Sequence, residues 1–396
     1  MNERSILIMR VQNLIQESGR AQKAVGQIDP EMGNPKIVDR VKVDLAQQIE
    51  GSRKKLDKLL EELNKGNASL GECWKEFNRI KGDKVKPIFR ECLALLQGSL
   101  VRKYGLDDGI CRIADALVYD IEYRLSLSWG RFTILAEEEF INEMAMIIRI
   151  YFPDVSIWNL PVVAHEFGHF VGPELKVKTG YGYAHHHPIG ELLDEGKVGE
   201  MSSLFLHEHF ADHFATYVLG PCYAFSCVLL RFNPLNASMN HTYHPSDNKR
   251  IYCILEVLKK MDEAGGSKEG YYSKIIERLK NSWEESLAAV GLPRRLLDDK
   301  TMEQLLIAMQ DFEGAVGDKL SGVRYKGTDW LNAVRLSALL LQGIPRDPEF
   351  PCSLADVLNA AWLSRVHDDV YKDSARVQLI GQRAKDLCYK IGGISK

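Results

Sequence analysis

Three residues in "NLPVVAHEFGHFVGP", positions 159–173, have the types and the spacing for metal chemistry. His165 and His169 are four apart, and Glu166 directly follows the first histidine. On a helix, positions four apart lie one above the other on one face, so both imidazoles can reach a single ion. Glu166 sits about a hundred degrees round from His165, near that ion without having to ligate it. A general base acting on a water belongs there, which is the mechanical reason that H-E-x-x-H marks zinc hydrolases. Asn159 can cap such a helix, Pro161 fits its first turn, and Gly172-Pro173 offers a stop. The same motif also arises by chance in core helices. Here Leu160, Val162, Val163, Phe167 and Phe170 surround it, and burying unpartnered polar groups among them costs roughly 2–7 kcal/mol each. One metal ion satisfies all three residues together.

A catalytic zinc needs a third protein ligand and one position left open. The pattern H-E-x-x-H-x-x-G-x-x-H is met at Gly172, but its final histidine falls on Leu175, so that arrangement is excluded. The next source is "SSLFLHEHFADHFATYVLGP", positions 202–221, which reads as a second helix. Ser202 or Ser203 would cap it and Gly220-Pro221 would stop it. Glu208 and Asp212 are four apart on one face of this helix. Glu208 is the favoured third ligand, with Asp212 accepting the free N–H of a ligating histidine and fixing its tautomer. Ala211 and Ala215 would let the two helices lie close. His207, His209 and His213 are rivals in the same stretch, and the sequence leaves a ligand role for one of them open. Of the 11 histidines, ten fall between His165 and His244, which concentrates the commonest protein metal ligand in one segment.

A third block, "HTYHPSDNKRIYCIL" (241–255), reads as a turn entering a helix. Taken together, "HEFGH", "EHFAD" and "HPSDNKRI" resemble the zincin metallopeptidases of the gluzincin group. The His-Pro…Lys-Arg-Ile block is similar to one in HtpX-type and CAAX-prenyl proteases, and the E-x-x-A-D block to one in ImmA-type proteases. The resemblance spans about a fifth of the chain and leaves out both ends. It implies a bound Zn2+ held by His165, His169 and Glu208, Glu166 as general base, and Asp212 supporting a ligand. It also implies His244 as oxyanion stabiliser and Arg250 as support for that segment. Without the resemblance, His244 before proline is a turn residue. The HtpX-type and CAAX-prenyl proteases are membrane-embedded, whereas the longest apolar run here, 214–230, is broken by Gly220-Pro221 and is short for a spanning helix. No membrane span is expected. The segment "GYGYAHHHPIGELL" reads as a loop in which His185, His186 and His187 could rim a cleft, and Tyr181, Tyr183 and Tyr243 are further candidate oxyanion donors.

The elements that must position these residues are mostly helical. "SILIMRVQNLIQESGRAQKAV" and the stretch from Ile37 to Gly66 carry apolar residues at helical spacing. Ile37, Val41, Leu45, Ile49, Leu56, Leu59, Leu60 and Leu63 form the stripe of the second, and the two helices should fold back as a hairpin. Helical patterns return from Cys253 onward. Strand signals are sparse, the best being "RFTILAEE" and "SLSW". The expected fold is mainly α: a zincin-like core over 107–262, with helical regions at 1–106 and 263–396. A formal net charge of −3 argues against nucleic acid as partner. Eight scattered cysteines without a C-x-x-C pair, and no signal peptide, suit a cytoplasmic protein. The expected function is a zinc-dependent peptidase acting on a peptide or protein substrate. The alternative is a helical interaction or regulatory protein with a structural or silent zinc site, its N-terminal helices binding a partner protein.

Overall fold

The chain is mainly α-helical, as its apolar spacing predicts. The computed structural model describes residues 3–26, 35–66, 68–127, 132–136, 147–151, 156–174, 176–179, 182–185, 203–240, 244–265, 270–295, 297–343, 350–368 and 370–394 of the 396. It divides into two compact units, one formed by 1–111 with 129–153 and the other by 112–128 with 154–396.

In the first unit, α1 (Glu3–Gly26) packs against α2 (Pro35–Lys65). Leu45, Ile49, Leu56, Leu59 and Leu63 are buried along α2 and face a core shared with Leu7, Val11 and Val25 of α1. The Ile37 and Val41 side chains of the expected stripe lie outside the described residues. After α3 (Leu70–Ile80) the helix widens into one π turn, Lys81–Val85, and continues as α4 (Lys86–Lys103). Pro87 has no N–H to give to the carbonyl four residues back, so the ladder loosens there.

Two short strands complete this unit. β1 (Phe132–Ala136) pairs in parallel with β2 (Ile147–Tyr151), Phe132 opposite Ile147 and Ala136 opposite Tyr151. The first is the strand expected from "RFTILAEE". The other candidate, "SLSW", is not its partner: Ser126 adopts a left-handed φ of 54° in the turn after α5, and Trp129 lies outside the described residues. Gly98 on α4 allows the helix to reach the sheet, since a Cβ there would lie 2.5 Å from Cβ of Ile134.

In the second unit, α5 (Ile110–Arg124, its first turn crossing the boundary) precedes the helices that carry the histidines. α6 (Val162–Glu174) packs along α7 (Ser203–Leu219). Gly172-Pro173 does not stop α6, which runs on to Glu174; a proline in a last turn removes a single hydrogen bond and ends nothing by itself. Asn159 does not cap α6 with its side chain either. Its Oδ1 accepts from Ser226 Oγ at 3.3 Å, while its backbone carbonyl takes the N–H of Val162. Part of the segment expected to be a loop forms a hairpin, β3 (Lys176–Thr179) with β4 (Gly182–His185), antiparallel with Thr179 opposite Gly182.

Gly220, at φ 66°, breaks the chain direction after α7, and α8 (Pro221–Ser226) starts at once. α9 (Asp247–Glu263) packs on α7. Then follow α10 (Ser273–Ala289), α11 (Asp299–Leu320), α12 (Gly327–Gln342), α13 (Leu354–Val366) and α14 (Ser374–Ile391). α13 is buried along nearly its whole length between α12, α14 and α8. Among the described residues, no helix is long and apolar enough to cross a membrane.

Candidate metal centre

Small residues let the two histidine-bearing helices come together. A Cβ on Gly168 would lie 3.0 Å from Cα of Ala211, and one on Gly172 would lie 3.1 Å from the Phe210 ring. At that separation the inner faces of α6 and α7 meet, and His165, His169 and Glu208 present ligand atoms all within 4.8 Å of one another. His165 Nε2 is 3.4 Å from Glu208 Oε2, and His169 Nε2 is 3.4 Å from Glu208 Oε1. The two imidazoles stand edge to face, with ring centres 4.8 Å apart. This buried His-His-Glu group could hold a metal ion. Of the rivals, His207, His209 and His213 are not part of it.

Behind His165 lies a polar network in an otherwise apolar core. Its Nδ1 is 2.9 Å from Asp212 Oδ1 and 3.0 Å from the Tyr223 hydroxyl. Tyr223 donates to Asp212 Oδ1 at 2.5 Å, and Arg250 donates to both carboxylate oxygens of Asp212, each at 2.8 Å. Burial alone would keep Asp212 protonated, but Arg250 and His165 hold its carboxyl well below the usual carboxylate range. An ionised carboxylate only accepts hydrogen bonds. His165 therefore keeps a proton on Nδ1, facing Asp212, and turns Nε2 toward Glu208.

Without a metal, the electrostatics around the cluster pair a charged His165 with the two carboxylates. Burial opposes ionisation of Glu208, yet His165, His244 and Arg250 hold it well below the ordinary value. Burial also opposes a charge on His165; Asp212 outweighs it and lifts the pKa to about 9. For His169, burial and the neighbouring His165 lower the pKa to about 3, so its ring is neutral. A metal at His165 Nε2 would have to displace a proton, as metal binding to protein ligands generally does.

The residues present fit a metal by two further tests. Glu208 Oε2 is buried within 3.0 Å of His244 Nδ1, 3.4 Å of His165 Nε2 and 3.8 Å of Arg250 Nη2, but these groups surround it off the ideal hydrogen-bond directions. A buried carboxylate oxygen left in that state is costly without another partner. Two imidazoles and one carboxylate are also a donor set that leaves one coordination position open on a tetrahedral ion.

The remaining candidates are distributed as follows. Glu166 is buried on α6, next to His165. His244, half-exposed at 53%, stands beside Glu208 just before α9. Arg250, on the first turn of α9, stacks its guanidinium 5.1 Å over the Phe232 ring while holding Asp212. The side chains of His185 and Tyr183, and the whole of Tyr181, His186, His187 and Tyr243, lie outside the described residues.

Two participants escape a reading of the sequence. Tyr223 sits past the Gly220-Pro221 break in a run that reads as apolar core. A buried tyrosine usually needs a hydroxyl partner, but no spacing rule points to His165. Asn359, on α13, makes the corner possible: its Nδ2 donates to the Leu219 carbonyl at 2.7 Å and its Oδ1 accepts from Cys222 N–H at 2.8 Å. Those are the groups orphaned where α7 stops and α8 starts. Neither a protein-family model, nor a curated protein, nor a solved structure matches the chain.

Proposed function

We propose that the protein is a zinc-dependent peptidase of zincin type. The observation that carries this reading is the convergence of His165, His169 and Glu208, with Asp212 fixing the orientation of His165 from behind. A zinc ion held by two imidazoles and a carboxylate polarises a carbonyl oxygen and makes a water acidic near neutral pH. His165, His169 and Glu208 would hold the ion. Asp212, braced by Arg250 and Tyr223, keeps the His165 lone pair aimed at it.

Glu166 supplies what a purely structural site has no use for, a carboxylate directly after the first ligand. Its carboxylate takes the proton of the attacking water and delivers it to the leaving amine. His244, half-exposed beside Glu208, is placed to donate a hydrogen bond to the oxygen on which negative charge develops. Replacing Glu166 by Gln keeps size and removes the base. Digestion of a peptide library by the zinc-loaded variant should cease while its zinc content stays at the wild-type level. Hydrolysis at the wild-type rate would remove Glu166 from the mechanism.

A further inference from the structure

The reverse side of α7 carries a second feature that the metal centre does not use. A pocket of about 410 Å3 opens there, bounded by α7, α9, α11 and the residues after α11. Cavities of roughly 300–1,000 Å3 are the size that holds small molecules. His213 and Tyr217 of α7, Lys260 of α9, Gln310 and Glu313 of α11, and Arg324 supply its polar lining; the rest of the described lining is apolar. Among the described lining residues Lys260 and Arg324 are cationic and Glu313, 3.2 Å from Lys260 Nζ, is the one carboxylate, which leaves one positive charge in excess. The loop that carries Arg324 is pinned by Tyr325 N–H on the Tyr217 carbonyl at 2.9 Å.

His213 is the second observation. It is 1% exposed, stacks on Tyr217 and meets Phe312 edge-on, and its buried Nδ1 has no hydrogen-bond partner. Buried polar atoms in native proteins are nearly always paired, by the protein or by ordered water. A lining of His213, two cationic side chains and the apolar Met261, Ala264 and Leu320 suits a molecule with an anionic head and a small apolar body.

We infer that this pocket is a ligand site for a small oxyanion-bearing molecule, a carboxylate or a phosphate ester, lying on the opposite side of α7 from the metal centre. Arg324 and Lys260 take the oxyanion, which they can grip through charge-assisted hydrogen bonds. His213, one residue after Asp212, is part of the lining. The inference is independent of the peptidase reading, because no residue of the pocket belongs to the metal cluster.

Isothermal titration with benzoate and with phenyl phosphate tests it. Both probes are titrated into the full chain carrying His169→Ala and stripped with a chelator, so that neither can bind through a metal. At least one should bind saturably at one site per chain, and the preferred probe distinguishes a carboxylate from a phosphate ligand. Arg324→Gln and Lys260→Gln, added separately, should each weaken that binding by about tenfold or more. No saturable binding of either probe at millimolar concentration overturns the inference, as does binding that both substitutions leave unchanged in a folded protein.

Discussion

Each unit buries a glutamate beside nitrogen donors, and the two sites differ in a way that separates scaffold from chemistry. In the first unit, Glu91 on α4 meets Arg149 on β2 at 2.5 Å, two opposite charges closing directly on each other between a helix and a strand. In the second, Glu208 is surrounded by His165, His169, His244 and Arg250 at 3.0–3.8 Å, and its buried Oε2 is met off the ideal hydrogen-bond directions. Glu91 closes on one arginine, as a residue that braces the fold does. One arranged for an outside partner is held in position and left unfinished. Asp212 shows the contrast inside the second site: it is fully buried and its two oxygens accept from Tyr223 and Arg250.

Removing each glutamate is the widest test of that difference. Glu208→Ala should reduce bound metal to near background, measured by elemental mass spectrometry after zinc loading. Glu91→Ala should leave metal content unchanged but strand Arg149, lowering stability to urea by about 3–5 kcal/mol. If both substitutions cost stability alone, the distinction between brace and ligand fails.

A smaller effect sharpens the role of Asp212. Tyr223→Phe deletes one of the donors to Asp212 Oδ1 and a contact to His165 Nδ1. Loss of such an outer contact typically lowers metal affinity about 10–100-fold, to be read by competition with a chromogenic chelator. Unchanged affinity would mean that Asp212 and Arg250 orient His165 without help.

The smallest expected effect concerns the other side of α7. His213 is fully buried, and burial, with Lys260 nearby, lowers its pKa to about 3, against about 6.5 in an unfolded chain. Between those values the unfolded state binds the extra proton, so the contribution of His213 to stability should be lost as the pH drops from 6.5 toward 3 and be constant above. His213→Phe should flatten the fall in melting temperature over that window; His209, lowered to about 4 by burial, would retain part of it. A slope identical to wild type would show that other groups set the acid limit.

How far the sequence could be read follows the range of the interactions. Helix spacing is local, and it exposes the α1–α2 hairpin, the HEFGH and EHFAD helices and the His-Pro turn before α9. Pairing four residues apart also makes Asp212 visible as a neighbour of Glu208. β2 is hidden because "IIRIY" has no clean alternation and its parallel partner precedes it by more than ten residues. Tyr223 and Asn359 are hidden for a related reason. Their partners depend on the corner at Gly220, whose positive φ leaves no room for a side chain against Tyr325, and on a helix 137 residues further along the chain.

The metal content of untagged protein, purified without added metal, tests the central claim most directly. The account predicts about one zinc per chain, absent from a His165→Ala variant that still folds. Protein that takes up no zinc, even after incubation with micromolar zinc, would contradict it and leave the helical interaction protein as the better reading.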